Sequence, residues 1–311
     1  MKPAGAALVA LIALWAGAAG AQQLDFKRIS RSGDELLSYR WKDWDKHEYS
    51  TAFTLTRDAI KEAEASFREF SMDAMWRTLE AELRDEVEKF GNGARIDLTR
   101  NIDGIHWTLK ARDQQAADLL SKQVSERLDR SQQAYLKTYM RRMAGEHRVI
   151  VDFSLAASAM QSPLHAVAKV LGDIPDIGGD DRARIALALG FFQQVPYVVL
   201  EDKQRRGGDF LPGPALLAEN RGDCDSKAVA LAAVLKTFTR WRKLAVVTMP
   251  GHAILAVDLP AAEGDWTVRS GAQKYVALEV SGPVMARVGN VGSITAKYLR
   301  EAREIEIWPL N

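Results

Sequence analysis

The chain has 311 residues, 47% of them hydrophobic, enough for one large core or two ordinary ones. Its 42 basic and 41 acidic residues leave a net charge of +1, which argues against the basic footprint of a nucleic-acid binder. The histidines at 47, 106, 147, 165 and 252 and the single Cys224 fall at no metal-ligand spacing, so neither a metal nor another cofactor is expected.

Residues 1–21 read as a secretory signal peptide. Lys2 precedes an apolar run from Ala6 to Trp15, and Ala19-Gly20-Ala21 forms an A-x-A cleavage site before Gln22. An uncleaved anchor is the alternative, because Pro3 to Ala21 carries no charge and approaches the ~20 residues that span a bilayer. The short apolar core and the small residues favour cleavage. No later stretch is apolar and long enough to span. The mature chain is therefore expected in the periplasm or secreted, where disulfides form readily and one cysteine has no intramolecular partner.

Residues 22–155 are expected to form an N-terminal α+β domain. Helical patterns cover 57–90 and 113–145, and alternating runs at 48–56, 94–99, 105–110 and 148–153 read as strands. The turn Asn101-Ile102-Asp103-Gly104 joins the middle pair, and the order β-α-β-β-α-β fits a ferredoxin-like split βαβ unit. A connector with a short helix inside it follows at 154–180.

Residues 156–311 form the second expected domain. A helix over 181–194 ends at Val195-Pro196, and 207–214 reads as a loop. A helix over 223–238 is apolar on most of its surface and so central, with strands at 244–249, 252–259 and 274–280. A buried helix against an antiparallel sheet is an α+β core.

Chemistry concentrates where that central helix starts. Gly222 and the N-cap Asp223 place Cys224 in the first turn, where unpaired N–H groups and the positive dipole end favour a thiolate. Asp223 and Asp225 repel that thiolate, so a cation is needed beside it. His252, after the Pro250-Gly251 turn, is the candidate. Glu279 shares a strand face with Tyr275 and Ala277, and if the two strands pair it can orient the imidazole. As a calcium site, Asp223 and Asp225 supply two carboxylates where about six to eight oxygens are needed.

The boxes LLAENRGDCDSKAVALAAVLKTF, PGHAILAVDLP and YVALEVSGP, with FFQQVPYV upstream, resemble those of transglutaminase-like cysteine hydrolases of the bacterial exported branch. The resemblance covers about residues 180–290. It implies a papain-like fold with Cys224 as nucleophile, His252 as base and later acid, and Glu279 as orienting acid. It also implies that the Gln193 amide, with Gln194 its close competitor, joins the Cys224 N–H in an oxyanion hole. Gly222, Asp223, Asp225 and Tyr197 flank this site. The acid is often Asp in such proteins, and here it is Glu.

The activity so implied is that of a peptidase or amidase acting through a thioester on a protein or peptide substrate in the cell envelope. A lysine amine replacing water would make it a crosslinking transglutaminase. A catalytically inactive binding module on the same fold is the third reading, and the presence of Cys, His and Glu together counts against it.

Overall fold

The computed structural model describes residues 23–67, 70–101, 104–145, 148–174, 180–200, 210–239, 242–281 and 285–310. The expected signal peptide lies outside them, as do His147, the centre of the 101–104 turn and residues 207–209 of the expected 207–214 loop. Among the described residues no helix is long and apolar enough to cross a membrane.

The chain opens with an antiparallel three-stranded sheet of β1 (Gln23–Arg31), β2 (Asp34–Lys42) and β3 (Glu48–Thr56). Only β3 is legible as a strand in the sequence. Ser32 and Gly33 both have positive φ, as a two-residue hairpin turn between right-twisted strands requires. Along β2 the residues Glu35, Leu37, Tyr39 and Trp41 face inward with period two.

The helical run expected over 57–90 is two helices, α1 (Arg57–Ser66) and α2 (Met72–Phe90). The Ser71 hydroxyl accepts from the Ala74 N–H, a cap that starts a new helix where the apolar pattern continues unbroken. Next come the hairpin β4 (Arg95–Asn101) and β5 (Gly104–Lys110), as expected, and α3 (Gln114–Thr138). That helix stops short of the expected 145. Met140 turns left-handed, and β6 (Arg141–Ala144) pairs with β7 (Arg148–Val151).

These strands do not build a ferredoxin-like sheet. β3 is held by β2 through nine consecutive partners, whereas β4–β5 and β6–β7 stand as separate two-stranded ribbons. Pairing with an adjacent hairpin strand wins over the distant pairing that the split βαβ unit needs, because it closes a much shorter loop.

Five helices follow: α4 (Phe153–Met160), α5 (His165–Gly172), α6 (Asp181–Gln194), α7 (Gly213–Glu219) and α8 (Cys224–Phe238). β8 (Leu244–Met249), β9 (His252–Val257), β10 (Thr267–Ser270), β11 (Gln273–Leu278), α9 (Ser293–Glu301) and β12 (Glu306–Leu310) complete the chain. Their strands form one antiparallel sheet in the order β10-β11-β9-β8-β12. The α+β class and the central helix on an antiparallel sheet are thus both present.

Burial places the layers. Ala228 to Leu235 of α8 are wholly buried, packed with Val246, Leu255 and Leu278 on one face of the large sheet. Ile254, Ala256, Tyr275 and Ala277 line the opposite face toward α9. The inward face of β2 and β3 joins the α8 core, whereas α2, α3, β4 and β5 enclose a core of their own. Residues 22–155, expected as one domain, therefore divide their buried side chains between two cores. The hinge of the shared core is Phe191 of α6, which meets Tyr39, Trp41 and Phe53 edge-on.

Candidate active site

Cys224 is the first residue of α8. Asp223 caps the helix by accepting from the Ser226 N–H at 3.2 Å, and the Asp225 carboxylate accepts from the same group at 3.0 Å. The approach to the cap is fixed by a ladder: Gly222 N–H donates to Pro196 O, and Val198 N–H to Gly222 O, each at 3.1 Å. Tyr197, half exposed, bridges Gly222. Only glycine fits at 222, because a Cβ would lie 2.6 Å from the Leu216 side chain.

His252 is the first residue of β9, facing Met249 across the hairpin turn. Pro250 and Gly251 provide that turn, with Gly251 at φ 69°, a position suited to glycine. β11 pairs with β9 through Leu278 and Leu255, so Glu279, one residue on, comes alongside the His252 end of the sheet. Its Oε1 lies 2.8 Å from His252 Nε2. The strand pairing expected from the sequence therefore brings the two together.

The Glu279 carboxylate is 3% exposed and fully engaged. Ser281 Oγ donates to Oε1 at 3.2 Å, and Thr295 Oγ1 and the Gly292 N–H donate to Oε2 at 2.6 and 3.3 Å. Burial alone would raise its pKa. The His252 ring, Thr295 and Gly292 outweigh that and hold it below the ordinary value, so the group stays ionised. With Nε2–H committed to this carboxylate, Nδ1 is the nitrogen left to accept a proton. Asp265, in the loop after β9, is engaged elsewhere, paired with Arg182 at 2.7 Å.

The thiol departs from expectation. Burial, then the charges of Asp225 and Asp223, push the Cys224 pKa up to about 12, against hydrogen bonds from the backbone N–H groups of Ala253 and Asp225. A helix N-terminus contributes about 0.3–1 kcal/mol, less than one pKa unit, whereas burial can shift a group by several units. Burial and the two carboxylates therefore favour the protonated thiol over the thiolate that the helix start by itself would favour. Ala253, whose N–H opposes this rise, is the residue after His252 at the start of β9.

Two glutamines expected near the oxyanion do other work. Gln193 is buried, and its amide nitrogen donates to Glu279 O at 2.7 Å and Ala286 O at 2.9 Å, using both hydrogens. It positions the acid's backbone and has no donor left for an oxyanion. Gln194 Nε2 donates to Lys42 O at 2.9 Å, and its Oε1 has no partner among the described residues.

Three groups at the site were not found from the sequence. Thr295 and Ser281 carry no local signal. Lys227 does: it stands immediately before the apolar run 228–235 of α8, and it is wholly buried.

A direct consequence concerns reactivity. Iodoacetamide should alkylate Cys224 at pH 7 more slowly than a free cysteine of pKa ~8.5, since only the thiolate reacts. Asp225→Asn removes one of the two opposing charges and keeps an oxygen for the Ser226 N–H. It should raise the rate about tenfold, one pKa unit, read by mass spectrometry at fixed pH.

Compared with family models, with curated proteins and with solved structures, the chain matches none.

Proposed function

We propose that this protein is an exported cysteine hydrolase, a peptidase or amidase, of the transglutaminase-like kind that its sequence boxes resemble. The observation that carries the reading is the 2.8 Å His252–Glu279 bond, at the strand start whose Ala253 N–H acts on the Cys224 thiol. A base and its orienting acid at the end of one sheet, with a cysteine at the start of the helix packed on that sheet, are the parts such a reaction needs.

Because the thiol rests protonated, His252 acts as a general base in the step that forms the bond. Nδ1 takes the thiol proton as sulfur attacks the carboxamide carbon, and Glu279 stabilises the imidazolium. The carbonyl electrons move onto oxygen, near the first-turn N–H of Cys224. Collapse expels the amine, which takes the proton from His252 and leaves a thioester. Water, deprotonated by the same ring, then releases the acid. The leader sequence before Gln22 supports an envelope location, with a protein or peptide as substrate.

The test is capture of the acyl-enzyme. Wild-type protein mixed with envelope extract and quenched in acid should carry a thioester on Cys224, absent in Cys224→Ala and nearly absent in His252→Ala. Added lysine-like amine that ends up in the product would turn the reading toward transamidation. A wild-type Cys224 that never acquires an acyl group would reject the enzyme.

A further inference from the structure

Lys227 is the charged residue that the proposed reaction leaves unused, and its burial calls for a reason. It is 0% exposed, and a buried ammonium is costly unless something nearby favours its charge. Its Nζ donates to the Val195 carbonyl at 2.8 Å, where α6 ends. Three residues after Cys224, it lies on the same helix face, and a long side chain on a helix leans toward the N-terminus. The Lys227 stem indeed runs beneath Gly222: a Cβ there would be 3.3 Å from Lys227 Cγ. The ammonium is thus seated at the N-terminal end of α8, the end that bears Cys224.

Resting on the hydrolase reading, we propose that Lys227 is a built-in counter-charge for Cys224: its ammonium offsets Asp223 and Asp225 and lets the thiol give up its proton. The surrounding charges are consistent with this. Asp223 and Asp225 come from the start of α8, His252 from β9, and Glu279 from the end of β11. Of the other elements against α8, α7 carries Glu219, which is paired with Arg221. α6 carries Asp181, paired with Arg242, and Arg182, paired with Asp265. His165 and Lys169 of α5 are exposed. Burial lowers Lys227 to about 7, while Cys224, Asp223 and Glu279 act to raise it. Ammonium and thiolate therefore favour each other, and the proton that leaves sulfur is matched by one that stays on nitrogen.

Lys227 touches no reacting atom, so it is a positioning residue, and its test must separate charge from tether. Lys227→Met removes both. Lys227→Gln removes the charge and keeps an amide donor for Val195. The readout is the pH dependence of Cys224 alkylation by iodoacetamide, with folding verified by circular dichroism. Both variants should slow alkylation about 10- to 100-fold at a fixed pH near 7. Wild-type rates in either folded variant would overturn the proposal, as would slowing by Met alone, which would make Lys227 a tether. Loss of folding in both would assign Lys227 to the fold and also overturn it. Acyl capture that succeeds while alkylation is unmoved discards Lys227 alone. Slower alkylation without acyl capture keeps the counter-charge and discards the hydrolase.

Discussion

Glu279→Gln is expected to lower the rate of Cys224 acylation on the order of 10³-fold while leaving the fold intact. The two side chains have the same shape, so the effect comes from charge and hydrogen polarity. One carboxylate oxygen accepts from His252 and Ser281, the other from Thr295 and the fixed Gly292 N–H. A glutamine offers one oxygen and one NH2. With its oxygen toward Gly292, the NH2 meets His252 Nε2 and selects the tautomer protonated on Nδ1, which cannot take the thiol proton. With its oxygen toward His252, the NH2 opposes the Gly292 N–H. Neither arrangement stabilises an imidazolium. The corresponding change in a serine protease costs ~10⁴ in turnover, and a thiol, more acidic than a hydroxyl, needs somewhat less help. Labelling kinetics at saturating acyl probe measure it. A Glu279→Gln protein that acylates at the wild-type rate would show that another group orients His252.

Phe191→Ala is expected to remove about 3–5 kcal/mol of stability, the usual range for truncating a buried phenylalanine. The ring is 1% exposed, with Tyr39 at 5.0 Å, Trp41 at 5.2 Å and Phe192 at 5.3 Å between centroids. Those partners come from the first sheet and from α6 itself, so little can collapse into the cavity. The loss should reach the site as well, because Phe191 stands two residues before Gln193, whose amide holds the Glu279 carbonyl. Urea unfolding provides the measure, with the half-exposed Leu119→Ala as a control that should change stability by less than about 0.5 kcal/mol. A loss below about 1 kcal/mol at Phe191 would mean that the β1–β3 sheet does not depend on α6.

Several parts of the site were legible because their signals are local. Gly222-Asp223 before an apolar run marks a helix start, and Pro250-Gly251 marks a turn that ends in His252. Short apolar strands at 244–249, 252–259 and 274–280 pair as neighbours, and Glu279 follows from that register. The first two strands were less legible. β1 reads QLDFKRISR with no clean alternation, and Glu35 occupies an inward position of β2 where an apolar residue is expected. That carboxylate is satisfied by Arg28, Ser30 and Arg57, the last of them 22 residues away, which no local pattern shows.

What the amino-acid order determined by itself was therefore the set of elements whose cause lies within a few residues: the cap at Asp223, the turn before His252, the apolar length of α8. Tertiary structure decided everything that depends on distance through space. It gave both Gln193 hydrogens to backbone carbonyls, drew β3 to β2, and buried Lys227 against the Val195 carbonyl. It also set the thiol's acidity. The helix N-terminus that the sequence announces acts weakly and locally, whereas the low-polarity surroundings and paired carboxylates that outweigh it exist only once α8 is packed on the sheet.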